Sequence, residues 1–225
     1  MKYKYYHIIG GVFVALLLIS NTIATKIIVL GPFLFPAGIL CFPITYIFGD
    51  VLVECYGYAR SRSIIWTGFF SLGLMSLFYY LAQIFPAPTF WDKQEAFEQI
   101  LGQAPRIAFA SLVAYWAGEF SNSYVLSRMK ILTKGRYLWT RTIGSTIVGE
   151  GVDTIIFNIV AFTGIFKLED MLVIIGSGYT IKVAYEVIAT PVTYKIVGFL
   201  KRTEGIDHFD YGVKYNPFTL VVEEN

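Results

Sequence analysis

Six carboxylates lie inside apolar stretches of this chain: Asp50, Glu54, Glu119, Glu150, Asp153 and Glu186. An acid at the centre of a bilayer-spanning helix costs about 2.5–3.5 kcal/mol on insertion scales, and such residues face an interior cavity rather than lipid. Six of them imply a polar interior that binds or passes a polar solute. Asp50 and Glu54 are four apart with Tyr46 one turn earlier, so the three share one helix face. Glu119 and Asn122 share another, and Glu150, Asp153, Thr154 and Phe157 have i, i+3, i+4, i+7 spacing. Lys182 and Glu186, also four apart, read most simply as an internal ion pair. Lys182 is the one base placed deep in an apolar run, and it cannot neutralise six acids. The remainder are left to hold protons, to reach Arg141 or Lys26 near helix ends, or to accept donors from a solute. A guanine-like edge suits a carboxylate acceptor. Aromatic residues, 17% of the chain, stack on bases but equally anchor membrane interfaces.

The elements that must position these groups are membrane spans. The chain is 56% hydrophobic and 15% charged, against about 25% charged in a soluble domain. With about 20 apolar residues per crossing, the sequence predicts an all-α, polytopic membrane protein of six spans. They are His7–Thr25, Ala37–Tyr56, Ile64–Phe85, Ile107–Arg128, Ile143–Phe166 and Leu172–Leu200. Residues 1–202 form this transmembrane domain and residues 203–225 a cytoplasmic tail without a core of its own. The first run reads as a span and not a cleaved signal. Lys2, Lys4, Arg60 and Arg62 lie on one side with the Arg128–Arg141 cluster, Lys201 and Arg202. By the positive-inside rule that side is the cytoplasm, which also holds both termini. The outer loop between spans three and four carries Asp92 and Glu95 at capping-box spacing, and Trp91–Leu101 is expected to form a short amphipathic helix.

The second span is irregular, because Gly31, Pro32, Pro36, Gly38 and Pro43 crowd its beginning. Either the helix starts early and kinks at Pro43, or Ile27–Phe42 forms a turn that enters the membrane. Transporters place binding sites at such breaks. Asp50 and Glu54 lie close in sequence to Arg60 and Arg62, which suggests either a structural pairing or a cytoplasmic gate. Glu119 and Glu150, each about 12–14 Å from the cytoplasmic helix ends, are expected at one level on antiparallel neighbours. There they either line a cavity or hold the bundle together by interhelical hydrogen bonds. Ser145 and Gly149, at small-xxx-small spacing, admit a close helix. Cys41 and Cys55 are about 21 Å apart along one helix and cannot form a disulfide. His7 and His208 lie near the termini, so no metal site is expected, and no cofactor either.

The segments SNTIATK from Ser20, FPITYIFGDVLVECYG from Phe42, GEFSNS from Gly118, WTRTIGSTIVGEGVDT from Trp139 and DYGVKYNPF from Asp210 resemble the queuosine-precursor transporters, also called the vitamin-uptake-like family. The resemblance covers nearly the whole chain. It implies uptake, across the inner membrane, of 7-deazaguanine compounds for tRNA queuosine modification: the cyano or aminomethyl precursor, or queuine. It also implies a six-helix fold similar to the substrate-binding subunits of energy-coupling-factor transporters. Carried over by motif, the site residues are Asn21, Tyr46, Asp50, Glu54, Glu119, Arg141, Ser145, Glu150 and Asp153, beside Asn122 from its shared face with Glu119. The expected partners are this small-molecule substrate and membrane lipid, with no nucleic acid. Two other readings stand beside a self-sufficient transporter. One is a substrate-binding subunit driven by an ATPase in other chains, since this sequence has no Walker A motif. The other is an intramembrane metal-assisted transferase built on Asp50 and Glu54, against which stands the lack of a histidine cluster or an H-E-x-x-H motif.

Overall fold

The computed structural model describes residues 3–23, 26–30, 33–102, 105–164, 167–213 and 215–218. Helix α1 (Tyr6–Ile23) leads into an antiparallel hairpin, β1 (Ile27–Leu30) and β2 (Phe33–Pro36), then a 3-10 turn (Ala37–Leu40) and α2 (Phe42–Tyr56). Next come α3 (Tyr58–Ile84), α4 (Gln94–Leu101), α5 (Pro105–Leu132), α6 (Leu138–Phe162) and α7 (Leu168–Glu204). The expected span limits Thr25 and Phe166, the turn residues Gly31 and Pro32, Lys2 and the end of the tail lie outside the described residues.

The fold is helical apart from the hairpin, whose register pairs Ile27 with Pro36 and Leu30 with Phe33. The protein is thus all-α in class, as expected, with this hairpin as a local addition, and only the early start of the second span at Ala37 is corrected. Pro43 stands in the first turn of α2, where its missing N–H costs nothing, so the helix begins there and does not kink there. At 15 residues, α2 is about 22 Å long. Among the described residues, four helices are long and apolar enough to cross a membrane: Tyr6–Ile23, Tyr58–Ile84, Leu138–Ala161 and Met171–Glu204. Of the other two expected spans, α2 is short and α5, though 28 residues long, is polar along the face that carries Glu119, Asn122 and Ser123.

Helix α2 is the axis of the bundle. It touches α1, α3, α5, α6 and α7, and Tyr46, Asp50, Val51, Leu52, Glu54 and Cys55 on it are all buried. Phe13 and Leu17 of α1, Ile65 of α3 and Tyr115 of α5 pack with it in one apolar core. The outer surfaces of α3 and α7 expose Phe70, Phe78, Leu172, Val173 and Ile188, as lipid-facing surfaces do. At 37 residues, α7 is about 55 Å long and outreaches a hydrocarbon core of about 30 Å.

Gly57 alone separates α2 from α3, at φ 84°, a left-handed value that other residues adopt at a cost. The break frees the N–H of Tyr58, which donates to both carboxylate oxygens of Asp210 at 3.0 Å. That contact fastens the tail. Trp66 Nε1 donates to the Pro217 carbonyl at 2.7 Å and Arg62 Nη1 to the Asn216 carbonyl at 2.9 Å. Tyr215 packs on Tyr58 and Tyr124, and Phe218 on Trp116. The tail thus shares the core of the bundle. The segment between α3 and α5 forms α4 as expected, but without the capping box: Lys93 occupies the N-cap with no side-chain cap, and Asp92 pairs with Lys93 at 3.0 Å.

Candidate functional site

The acids on α2, α5, α6 and α7 form two layers. The first, close to the α2–α3 break, centres on Glu54. Arg141 Nε donates to its Oε2 at 3.0 Å and Arg141 Nη2 to its Oε1 at 2.8 Å. Lys201 Nζ donates to the same Oε1 at 2.5 Å, and Lys130 Nζ lies 3.5 Å from it. The two lysines also hold Asp207, at 2.7 and 2.8 Å. Burial pushes the Asp207 carboxyl up, but hydrogen bonds from Lys130 and Lys201, with their charges, outweigh it and hold it below its ordinary value. The salt link from Asp207 to the two lysines is therefore present at neutral pH and is lost in acid, as the pH falls through that lowered value.

This network overturns the pairing of Asp50 and Glu54 with Arg60 and Arg62. The break at Gly57 turns α3 away, and Arg60 donates to the Tyr56 carbonyl and covers the Tyr3 ring. Sequence reasoning counted Lys130 and Lys201 only as topology signals. A signal was present for Lys130, which continues the i, i+4, i+8 row of Asn122 and Leu126 down α5.

The middle layer holds Asp50, Glu119, Glu150, Asp153 and Glu186. Asn122 Nδ2 donates to Asp50 Oδ1 at 2.7 Å and Ser145 Oγ lies 3.5 Å from it, so α2, α5 and α6 meet there. Lys182 reaches across to α6 and away from Glu186 on its own helix: its Nζ lies 2.8 Å from Glu150 Oε2 and 2.8 Å from Asp153 Oδ2. The expected Lys182–Glu186 pair gives way because the facing helix offers two carboxylates at once. Glu119 lies within electrostatic range of Glu150 and Asp153, and Asp50 within range of Glu186 and Glu119. The tyrosine hydroxyl of Tyr46 faces the same three acids of α5 and α6. Asn21 stands apart in what ties it down: its amide donates to the Leu17 carbonyl within α1.

Close packing at glycines makes the layer possible. A Cβ on Gly118 would lie 2.7 Å from Asp153 Cβ and 3.0 Å from the Gly149 carbonyl, and one on Gly149 would lie 2.6 Å from Asn122 Cβ. Helices α5 and α6 therefore cross backbone to backbone, as the Ser145/Gly149 spacing predicted. Gly49 on α2 similarly leaves room for the Glu119 carboxylate. Gly118→Ala is expected to force the two helices apart at a cost of about 1–3 kcal/mol, seen as a lowered melting temperature of the purified protein in detergent. An unchanged melting temperature would show that the crossing relaxes freely.

Several polar atoms in this layer have no hydrogen-bond partner among the described residues: both carboxylate oxygens of Glu119, Asp50 Oδ2, Asn122 Oδ1 and Glu186 Oε1. Their side chains are buried, and a buried polar group left unsatisfied costs about 1–3 kcal/mol. Each such group calls for a partner in the working protein, whether a proton, a water or a donor on a solute. Among the described residues no group of histidines, cysteines and acids is arranged to hold a metal ion.

Residues 36–196, well over half the chain, match the model of the family described as "Putative vitamin uptake transporter". The chain belongs to that family. The family match bears out the resemblance read from the motifs, and it contains α2, α5, α6 and both acid layers except for Lys201 and Asp207. Within it, the chain is 38% identical over 146 residues to a Bacillus subtilis (strain 168) protein named "Probable queuosine precursor transporter", 64% of each chain being aligned. It is 28% identical over 125 residues to the "Queuosine precursor transporter" of Escherichia coli (strain K12), covering 56% of this chain and 54% of that one. The aligned part thus spans less than two thirds of either relative. No solved structure matches.

Proposed function

We propose that this protein is a multi-pass transporter of the cell inner membrane that takes up a queuosine precursor or queuine, a 7-deazaguanine base, for tRNA queuosine modification. The observation that carries this reading is the middle layer of buried carboxylates with bare acceptor oxygens, set where α2, α5 and α6 cross. A guanine-like edge presents a ring N–H and an exocyclic amine side by side, and a carboxylate accepts both. The names of the two relatives supply the substrate class. Asp153 and Glu150 on α6, with Glu119 opposite, hold the donor edge. Tyr46, Asp50, Asn122 and Ser145 line the same space, and Asn21 stands on α1. Glu54 and Arg141, saturated by each other and by two lysines, close the inner end. The test is flux: purified protein in liposomes should equilibrate a labelled deazaguanine without ATP or any second protein. Absence of flux until ATP-hydrolysing subunits are added would support the substrate-binding-subunit reading in its place.

In this reading α1, α2, α3, α5, α6 and α7 all cross the membrane, as in energy-coupling-factor substrate-binding subunits. The short α2 is helped across by the hairpin before it. Both termini are cytoplasmic, in keeping with the basic cluster between α5 and α6. Reporter fusions at Lys134 and after Phe218 should report the cytoplasm and fusions within Trp91–Leu101 the outside. The reverse pattern would overturn this orientation.

A further inference from the structure

We infer that Lys182 is a tethered competitor for the substrate, occupying the Glu150 and Asp153 carboxylates until a base displaces it onto Glu186. The inference rests on the transporter reading above and adds the step by which the site is occupied and released. The ammonium of Lys182 sits 2.8 Å from an oxygen of each acid, with Thr154 Oγ1 at 3.4 Å. It donates to Asp153 Oδ2 and stands in ion-pair contact with Glu150 Oε2, and so sits against the acceptors that a guanine-like edge requires. Its side chain is 20% exposed, whereas those of Glu150 and Asp153 are 2% and 8% exposed. The cation is thus the least enclosed member of the group. Its four-carbon stem is flexible and its charge is a point with rotatable donors.

A place for it to go is already built. Glu186 lies one helical turn along α7, within the i, i+4 reach of a lysine. It is buried, and its Oε1 has no hydrogen-bond partner among the described residues. Glu186 is in electrostatic range of Glu150 and Asp50, so a cation arriving there remains inside the acidic layer and offsets it. The exchange keeps the number of charges in the layer constant while substrate donors replace the ammonium on α6. It also removes the ion pairs that tie α7 to α6 at this level, which couples occupancy of the site to the packing of α7.

The competitor role fixes the signs of three variants, read by titrating purified protein with 7-cyano-7-deazaguanine. Lys182→Met removes the competitor and should bind roughly tenfold more tightly than wild type. Lys182→Arg keeps the charge but grips both carboxylates with a planar fork, and should bind roughly tenfold more weakly. Glu186→Gln removes the landing site and should also bind more weakly. If Lys182 were only a structural tie, Arg would restore wild-type affinity and Met would lower it, and that pattern overturns the inference. Should Lys182→Met fail to fold, the other two variants decide: wild-type affinity in both overturns it, and weakened affinity in both supports it. Failure of wild type itself to bind any of the deazaguanines would overturn the substrate reading, and this inference with it.

Discussion

Glu54→Gln is expected to destabilise the folded protein by about 3–5 kcal/mol, the cost of leaving buried charges without their partner. Glu54 is fully buried, and Arg141 and Lys130 beside it are 1% and 2% exposed. Their shared anion gone, Arg141, Lys130 and Lys201 would face one another with Asp207, which is half exposed, as the remaining counter-charge in the network. Arg141 keeps its bonds to the Arg136 carbonyl and Thr133 Oγ1, and Lys130 its bonds to the Glu54 and His208 carbonyls. Those contacts satisfy donors but do not neutralise charge. The measurement is a thermal melt of purified protein in detergent, with Glu54→Gln, Arg141→Leu and the double variant compared. A direct pair predicts that the double variant loses less than the sum of the single losses. Simple additivity would show that Glu54 and Arg141 act independently.

The same network shows how far the sequence could be read. Intervals within a helix carried well: Tyr46, Asp50 and Glu54 do share a face of α2, whereas the convergence of Asn122 and Ser145 on Asp50 emerged only in three dimensions. Depth counting placed Glu119 beside Glu150, because loop-joined helices rise at a fixed 1.5 Å per residue. Partners chosen by nearness in sequence failed. Arg60 and Arg62 were turned away by one glycine at φ 84°, and Lys182 preferred two acids across the helix interface to one on its own helix. Lys201 was invisible as a site residue, since a basic residue at a helix end looks the same whether it meets water or a buried carboxylate, and Lys130 was betrayed only by its place on the Asn122 row of α5. The hairpin before α2 was legible only as one of two alternatives, a turn over Ile27–Phe42: a run of glycines and prolines marks a break but does not say which backbone path fills it.

Asp153→Asn is the second large effect, and it falls on binding. Asp153 Oδ2 accepts from Lys182 at 2.8 Å, and its backbone stands at the α5–α6 crossing against Gly118. An amide presents one acceptor atom where the carboxylate presents two. Loss of a charge-assisted hydrogen bond is expected to weaken the complex by about 1.5–3 kcal/mol, while the size of the side chain, and so the crossing, is unchanged. A packing role would show the opposite pattern: less folded protein, with normal affinity in whatever survives.

The most direct test of the buried carboxylate layer as the substrate site is a calorimetric titration of purified protein with the cyano precursor, the aminomethyl precursor and queuine. Wild type should bind at least one of the three, and Asp153→Asn should bind it at least roughly tenfold more weakly, Glu150→Gln and Glu119→Gln following in the same direction. Wild-type affinity in all three variants would contradict the assignment of these acids to the substrate.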